Sequence, residues 1–177
     1  MTGSLSTLIE HTTWGQIRVL VSDGGIVSCD LPIIDKKPTG TFRINRAEIK
    51  SAHPAHKKVM ESSDAFIRAL FAGKSMKKPS ISLQKGTAFQ REVWKFLAGM
   101  KTGELVTYGE LASKIGHAKA VRAIGQACGA NPIPLFIPCH RVSAANGKLG
   151  GFSSGLAWKV LLLEIEKADL AAIRRPS

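Results

Sequence analysis

The chain has 177 residues, with 25 Lys+Arg against 13 Asp+Glu, a formal net charge of +12 and a hydrophobic content of 44%. That content supports a packed core and excludes disorder driven by low hydrophobicity and high charge; the length suits one ordinary domain or two small ones, not a large barrel. No apolar run approaches the ~20 residues of a membrane span, and Met1–Glu10 lacks a basic segment followed by a hydrophobic one, so a soluble, unexported, cytoplasmic protein is expected.

Excess lysine also serves solubility, so a pI near 10 alone leaves nucleic-acid binding an even choice. Residues 1–85 carry 13 basic and 7 acidic groups and residues 86–177 carry 12 and 6, so the excess is not a tail. Between Leu111 and Leu163, however, no Asp or Glu occurs, while Lys114, Lys119, Arg122, Arg141, Lys148 and Lys159 do. If that stretch forms one surface, its positive field is unopposed.

In chain order, Thr13–Ser22 alternates and is rich in Ile, Val and Leu. Asp23-Gly24-Gly25 signals a turn, and Ile26–Leu31 supplies the return strand of a hairpin. Pro32–Asn45 reads as loop or irregular edge. A helix is expected from about Pro54 to Phe71, ended by Gly73, followed by a basic connector and a short strand around Ile81–Leu83. These elements make a small α/β domain over 1–84.

Residues 85–177 read as a second, mainly helical domain. Thr87-Ala88-Phe89-Gln90 is a capping-box pattern with Phe89, Val93, Phe96, Leu97 and Met100 at helical spacing behind it. Thr107-Tyr108-Gly109-Glu110 is a second box, opening a short helix that Gly116 closes. A third helix is expected from about Ala118 to Cys128, giving a helix-turn-helix pattern. On it Ala120, Ile124 and Ala127/Cys128 point inward, and Lys119, Arg122 and Gln126 outward. Ala123 and Gly125 lie between. Gly125 costs a helix about 1 kcal/mol relative to Ala, which fits either close approach to a groove or tight packing on another helix.

The cysteines (Cys29, Cys128, Cys139) are odd in number and widely spaced, which fits a reducing compartment better than a disulfide framework. His53 and His56 stand three apart without a third or fourth ligand nearby in sequence, so a zinc site is the minority reading and no metal is expected. A lone Cys is usually a small buried hydrophobe. Cys139 differs, because Pro132, Pro134 and Pro138 define a rigid path expected to be extended, and His140 and Arg141 follow the thiol. Neighbouring cations or a base make a thiol nucleophilic, although adjacent side chains of an extended segment point apart.

Pro138-Cys139-His140-Arg141-Val142 resembles the active-site signature of the O6-alkylguanine-DNA alkyltransferases (methylated-DNA–protein-cysteine methyltransferases). The resemblance spans roughly Thr87 to Lys167. It also rests on Thr107-Tyr108-Gly109-Glu110-Leu111-Ala112, Ala120-Val121-Arg122-Ala123-Ile124-Gly125, Gly129-Ala130-Asn131-Pro132 and Gly150-Gly151-Phe152-Ser153, in the family's order. It implies an RNase H-like α/β domain over 1–84 and a winged-helix-like, mainly α domain over 85–177. The implied activity is irreversible, stoichiometric transfer of an alkyl group from O6-alkylguanine, with O4-alkylthymine as a further substrate, in double-stranded DNA. The implied protein is a monomer that needs no cofactor and binds the minor groove.

By the same resemblance Cys139 is the acceptor, His140 removes its proton through a water, Glu166 orients the imidazole, Tyr108 protonates guanine N3 and Asn131 braces the loop. Arg122 fills the hole left by the flipped nucleotide. Lys119, Gln126, Ala123, Gly125 and Thr107 belong to the DNA-binding face, and Val142, Phe152 and Ser153 to the base pocket. Glu166 lies at the end of an apolar helix expected over Leu156–Ala168, whose periodicity does not say whether it faces inward. Phe152 stands where the family commonly has tyrosine, which removes a hydroxyl contact. From the residues alone, two other classes fit: a helix-turn-helix regulator using Cys139 as a redox sensor, and a cysteine hydrolase, which leaves the acid-free stretch without a reason.

Overall fold

The computed structural model describes residues 4–35, 43–50, 53–145 and 147–171. The chain divides into two compact units, one comprising Met1–Gln84 with Pro132–Phe136 and the other Lys85–Asn131 with Ile137–Ser177. Among the described residues no helix is long and apolar enough to cross a membrane.

The first unit is built on a four-stranded antiparallel sheet of order β3-β2-β1-β4, with β1 Ser6–Thr12, β2 Gly15–Ser22, β3 Gly25–Asp30 and β4 Ile44–Lys50. In β2, Ile17, Val19 and Val21 are fully buried between exposed or half-exposed neighbours, the period of two that a half-buried strand requires. Gly25 closes the β2–β3 hairpin at φ +118°, where a Cβ would sit 2.5 Å from the Ser80 carbonyl. That carbonyl accepts from Ile26 N, and Ser82 N donates to Ile26 O. The strand expected over Ile81–Leu83 is therefore a single parallel bridge, Ile26 to Ile81.

β4 is a correction to the sequence reading, which placed loop up to Asn45 and no strand after it. The strand has only two half-buried positions and no apolar alternation, because it is an edge held by its backbone ladder to β1. Part of the expected loop, residues 36–42, lies outside the described residues. α1 (Lys57–Phe71) follows one 3-10 turn at Pro54–His56 and ends at Gly73, as its spacing predicts. It buries Met60, Phe66, Ile67 and Leu70. Pro132–Phe136 adds a hydrogen bond from Cys29 N to Pro132 O at 2.9 Å and a stacked Phe66–Phe136 pair at 5.1 Å.

The second unit holds α2 (Ala88–Gly99), β5 (Val106–Thr107), α3 (Tyr108–Lys114), α4 (Val121–Gly129), β6 (Val142–Ser143) and α5 (Leu156–Ile165). Both capping boxes form: Thr87 and Gln90 exchange backbone–side-chain bonds at α2, and Thr107 and Glu110 do so at α3. α4 starts at Val121, three residues later than expected. Trp94 is buried in α2 and donates Nε1–H to Ala127 O at 2.8 Å, which ties α2 to the end of α4. β5 and β6 form a two-residue parallel pair, Val106 to Val142 and Thr107 to Ser143.

One carboxylate in the first unit lies against the grain of its surroundings. Glu10 on β1 has a fully buried side chain whose oxygens accept no hydrogen bond; Arg68 Nη2 stands 3.8 Å away, and Arg68 also binds Asp64. Burial first, and the neighbouring Asp64 carboxyl second, push Glu10 up to about 8. Its folded pKa thus exceeds its unfolded one, so its contribution to stability is complete below about 4.5 and is lost as pH rises through about 8. Chemical denaturation of Glu10→Gln against pH should remove that downward slope, leaving the variant relatively more stable at pH 9 than at pH 6. Parallel wild-type and variant curves would contradict the assignment.

Candidate active site

The segment leading to Cys139 is not extended, contrary to the sequence reading. Leu135 takes φ 75° within a turn over residues 134–136, and Cys139–Arg141 form a 3-10 turn after Pro138. The prolines remove helix-forming donors, but the turns satisfy the remaining amides: Cys139 N donates to Ile137 O at 2.8 Å and Arg141 N to Pro138 O at 3.1 Å. Asn131 closes the loop from outside, donating Nδ2–H to Ile137 O at 2.8 Å and to Cys139 Sγ at 3.1 Å. The turn, not an extended strand, disposes the side chains of 139, 140 and 141.

Glu166 is the hub of the polar groups around the thiol. Its Oε1 accepts from His140 Nε2 at 2.9 Å and from Arg141 Nη2 at 2.8 Å. Its Oε2 accepts from Arg141 Nε at 2.8 Å and from Gly103 N at 3.2 Å. Arg141 directs its remaining Nη1 to Met100 O at 2.8 Å. Helix α5 stops at Ile165, three residues short of expectation; Glu166 is its C-cap and Lys167 takes φ 54°, which turns the carboxylate inward. Burial alone would raise Glu166, but hydrogen bonds from His140 and Arg141 and their charges outweigh it and hold the carboxyl at about 2.

Arg141 therefore serves the carboxylate, which corrects the expectation that it helps His140 polarise the thiol. Burial pushes Cys139 up to about 11; the Asn131 hydrogen bond and the Lys159 charge oppose it without prevailing. At neutral pH the thiol keeps its proton. His140 is fully enclosed and burial lowers its pKa despite Glu166, so the ring is neutral there. With Nε2 bound to Glu166, Nδ1 is left buried without a hydrogen-bond partner. A neutral imidazole with one free nitrogen, anchored by a carboxylate at the other, is the arrangement of a general base.

Lys159 is a site residue that the sequence reading missed. Its side chain is fully buried, donating Nζ to Val142 O at 2.6 Å and to Gly151 O at 3.1 Å, and burial lowers it to about 8. The available signal was its place as the one charge between Leu156 and Leu163 in an apolar helix. Of the six cations in the acid-free stretch, Lys114, Lys119, Arg122 and Lys148 are exposed or half-exposed, while Arg141 and Lys159 are interior.

Cys139 opens onto a cavity of about 240 Å³. Tyr108, Gly151, Phe152 and Ser153 form part of its wall, together with Gly125, Cys128 and Gly129 from α4. Tyr108 is placed by the β5–β6 pairing that precedes it and by Gly150, where at φ +71° a Cβ would lie 2.9 Å from its ring. Burial raises the Tyr108 hydroxyl, which the Gly151 backbone partly offsets, so the phenol stays protonated. Phe152 packs edge-on to His140 with ring centroids 6.3 Å apart. The Val142 side chain is fully buried and does not line the cavity, and its carbonyl accepts from Lys159.

On α4 and the turn before it, Lys119, Arg122 and Gln126 are exposed, and Ala123 and Gly125 half-buried. A Cβ at Gly125 would meet nothing within 4 Å, so helix packing does not explain that glycine; it borders the cavity instead. Thr107 is engaged as the α3 cap.

Removing the charge from Glu166 leaves Arg141 buried without its partner. Glu166→Gln should lower stability by about 3 kcal/mol at pH 7 in denaturant titrations. Since the Glu166 folded pKa is depressed, its contribution is present above about 4.5 and lost as pH falls toward 2. Wild type and variant should therefore converge in acid. A constant gap down to pH 2 would contradict the depressed pKa of the folded carboxylate.

The profile described as 6-O-methylguanine DNA methyltransferase, DNA binding domain, matches residues 88–168. The chain is 48% identical over 105 residues to the methylated-DNA–protein-cysteine methyltransferase of Methanosarcina mazei, covering 59% of this chain and 66% of that protein. With the enzyme of the same name from Methanosarcina acetivorans the identity is 41% over 122 residues, covering 68% and 78%. Among solved structures, Mycobacterium tuberculosis OGT in complex with DNA superposes with a TM-score of 0.69 at 30% identity, over 90% of this chain and 93% of that one. The signature turn, its flanking motifs and these alignments agree, and the chain belongs to the methylated-DNA–protein-cysteine methyltransferase family.

Proposed function

We propose that this protein repairs DNA by transferring a methyl or larger alkyl group from O6-alkylguanine to its own Cys139, once per molecule. The observation that carries the reading is the buried chain Asn131–Cys139 and His140–Glu166–Arg141 at the wall of a cavity that also holds a protonated Tyr108. Cys139 starts as the thiol. His140 takes its proton through a water, and Glu166 stabilises the imidazolium that results. The sulfur lone pair forms the S–C bond while the C–O6 bond breaks toward guanine. Tyr108 protonates N3, so the leaving base departs neutral rather than as an anion. The thioether does not hydrolyse, which makes the protein a single-turnover enzyme without a dissociable cofactor.

A base inside a duplex cannot reach an enclosed thiol, so the nucleotide must be flipped out at a cost of a few kcal/mol. Arg122, exposed and always charged, occupies the stack in its place. Lys119, Gln126, Ala123, Gly125 and Thr107 face the minor groove, where small residues permit close approach. Residues 1–84 form the RNase H-like domain and residues 85–177 the winged-helix-like one, and the protein acts as a cytoplasmic monomer on double-stranded DNA. Val142, Phe152 and Ser153 bound the flipped base, with Val142 acting through its backbone, which Lys159 holds.

Incubation with a duplex bearing O6-methylguanine, followed by peptide mass spectrometry, should place one methyl group on the Cys139 peptide and none in Cys139→Ala. An unmodified peptide with the lesion still in the duplex would overturn the reading. In the same assay Arg122→Ala should slow repair in duplex by roughly tenfold beyond its effect on free O6-benzylguanine, the size of one lost contact of about 1–3 kcal/mol. Equal losses on both substrates would remove the flipping role.

A further inference from the structure

In the first unit, far along the sequence from Cys139, three side chains converge on one point. His56 at the start of α1 has no solvent exposure; its Nε2 lies 2.8 Å from Asp23 Oδ1, and its Nδ1 lies 2.9 Å from Ser6 Oγ. Asp23, in the β2–β3 turn, has a side chain 66% exposed. His53 is exposed, with its ring centroid 5.2 Å from that of His56 and tilted by 49°. One ligand atom from each of Asp23, His53 and His56 falls within 4.8 Å of the others.

The Ser6–His56–Asp23 order superficially matches a hydrolytic triad. Ser6 is fully buried, and its oxygen also accepts from His53 N at 2.9 Å, so no substrate reaches it. The same contacts suit a different chemistry. Metal-bound histidines usually donate their second ring nitrogen to an oxygen that fixes tautomer and orientation. Ser6 Oγ stands at that position behind His56, leaving Nε2 pointed at the cluster.

We propose that Asp23, His53 and His56 bind a divalent transition-metal ion of the zinc class through two imidazoles and one carboxylate, with solvent completing the coordination. Zinc–nitrogen and zinc–oxygen bonds of about 2.0–2.2 Å place tetrahedral donors roughly 3.4 Å apart. The His56–Asp23 contact of 2.8 Å must therefore open by about 0.6 Å, which an aspartate in an exposed turn accommodates, while His53 closes in. Imidazole donors favour zinc, cobalt, nickel and copper over magnesium and calcium. The bound ion would join β1 through Ser6, the β2–β3 turn and the start of α1. Sequence spacing concealed this set because Asp23 precedes His53 by 30 positions and only the hairpin turn returns it.

The test uses the full chain, titrated with Co²⁺ and followed by its absorption spectrum, and with Zn²⁺ followed by equilibrium dialysis and thermal melting. His53→Ala and Asp23→Asn are the variants, since both positions are exposed; buried His56 is left intact. Wild type should retain one equivalent of zinc and melt at a higher temperature with it. Each variant should melt as wild type does without metal and lose at least about tenfold in zinc affinity, the low end of what disturbing even an outer contact costs. Failure of wild type to retain zinc, or wild-type zinc affinity in either variant, would overturn the proposal. A thiolate-to-cobalt charge-transfer band would overturn it too, because it would place the ion on a cysteine.

Discussion

The second unit depends on one buried carboxylate. Glu166 receives four hydrogen bonds, from a guanidinium fork, an imidazole and a backbone amide, and with them connects the end of α5, the loop at Gly103 and the turn after Cys139. A lone carboxylate in that position would be neutral or expelled. Held by Arg141, it stays ionised, and its charge then fixes both the orientation and the tautomer of His140. Arg141 also binds Met100 O, so a residue two positions from the nucleophile anchors the loop behind it. Stability and chemistry here rest on the same contacts.

A consequence is that Cys139 is not a reactive thiol at rest. Its burial holds the proton on sulfur, and the two groups that favour the thiolate, Asn131 and Lys159, are insufficient to release it. For a protein that uses its cysteine once, an inert ground state protects the acceptor from oxidants and stray electrophiles, which attack the thiolate. In the proposed mechanism, reactivity arises when a substrate fills the cavity and His140 moves the proton. Lys159 contributes in two ways, as a nearby positive charge and as the brace that holds the Val142 and Gly151 carbonyls.

Much of this was legible in the amino-acid order, for identifiable reasons. The capping boxes at Thr87 and Thr107 are local devices, and both form where their residues predict. Gly24-Gly25 and the alternating β2 likewise encode their hairpin within a few residues. What escaped depends on partners distant in sequence. β4 has no hydrophobic period, since an edge strand borrows its order from β1. The inward turn of Glu166 required the helix to end at Ile165, and an apolar helix carries no period to say so. Arg141 read as a cation for its neighbour because adjacency is visible in sequence and a carboxylate 25 residues away is not. Gly125, which periodicity left between packing and close approach, borders the cavity.

Activation of a protonated thiol by a neutral His140 has a direct kinetic signature, the pH dependence of single-turnover transfer from O6-benzylguanine to the wild-type protein. The rate should fall in acid with a midpoint below 6.5, as His140 becomes protonated, and stay level above neutrality. A rate rising about tenfold per pH unit from 7 toward 11 would mean that thiolate formed by bulk solvent is the reacting species, and would contradict activation by His140.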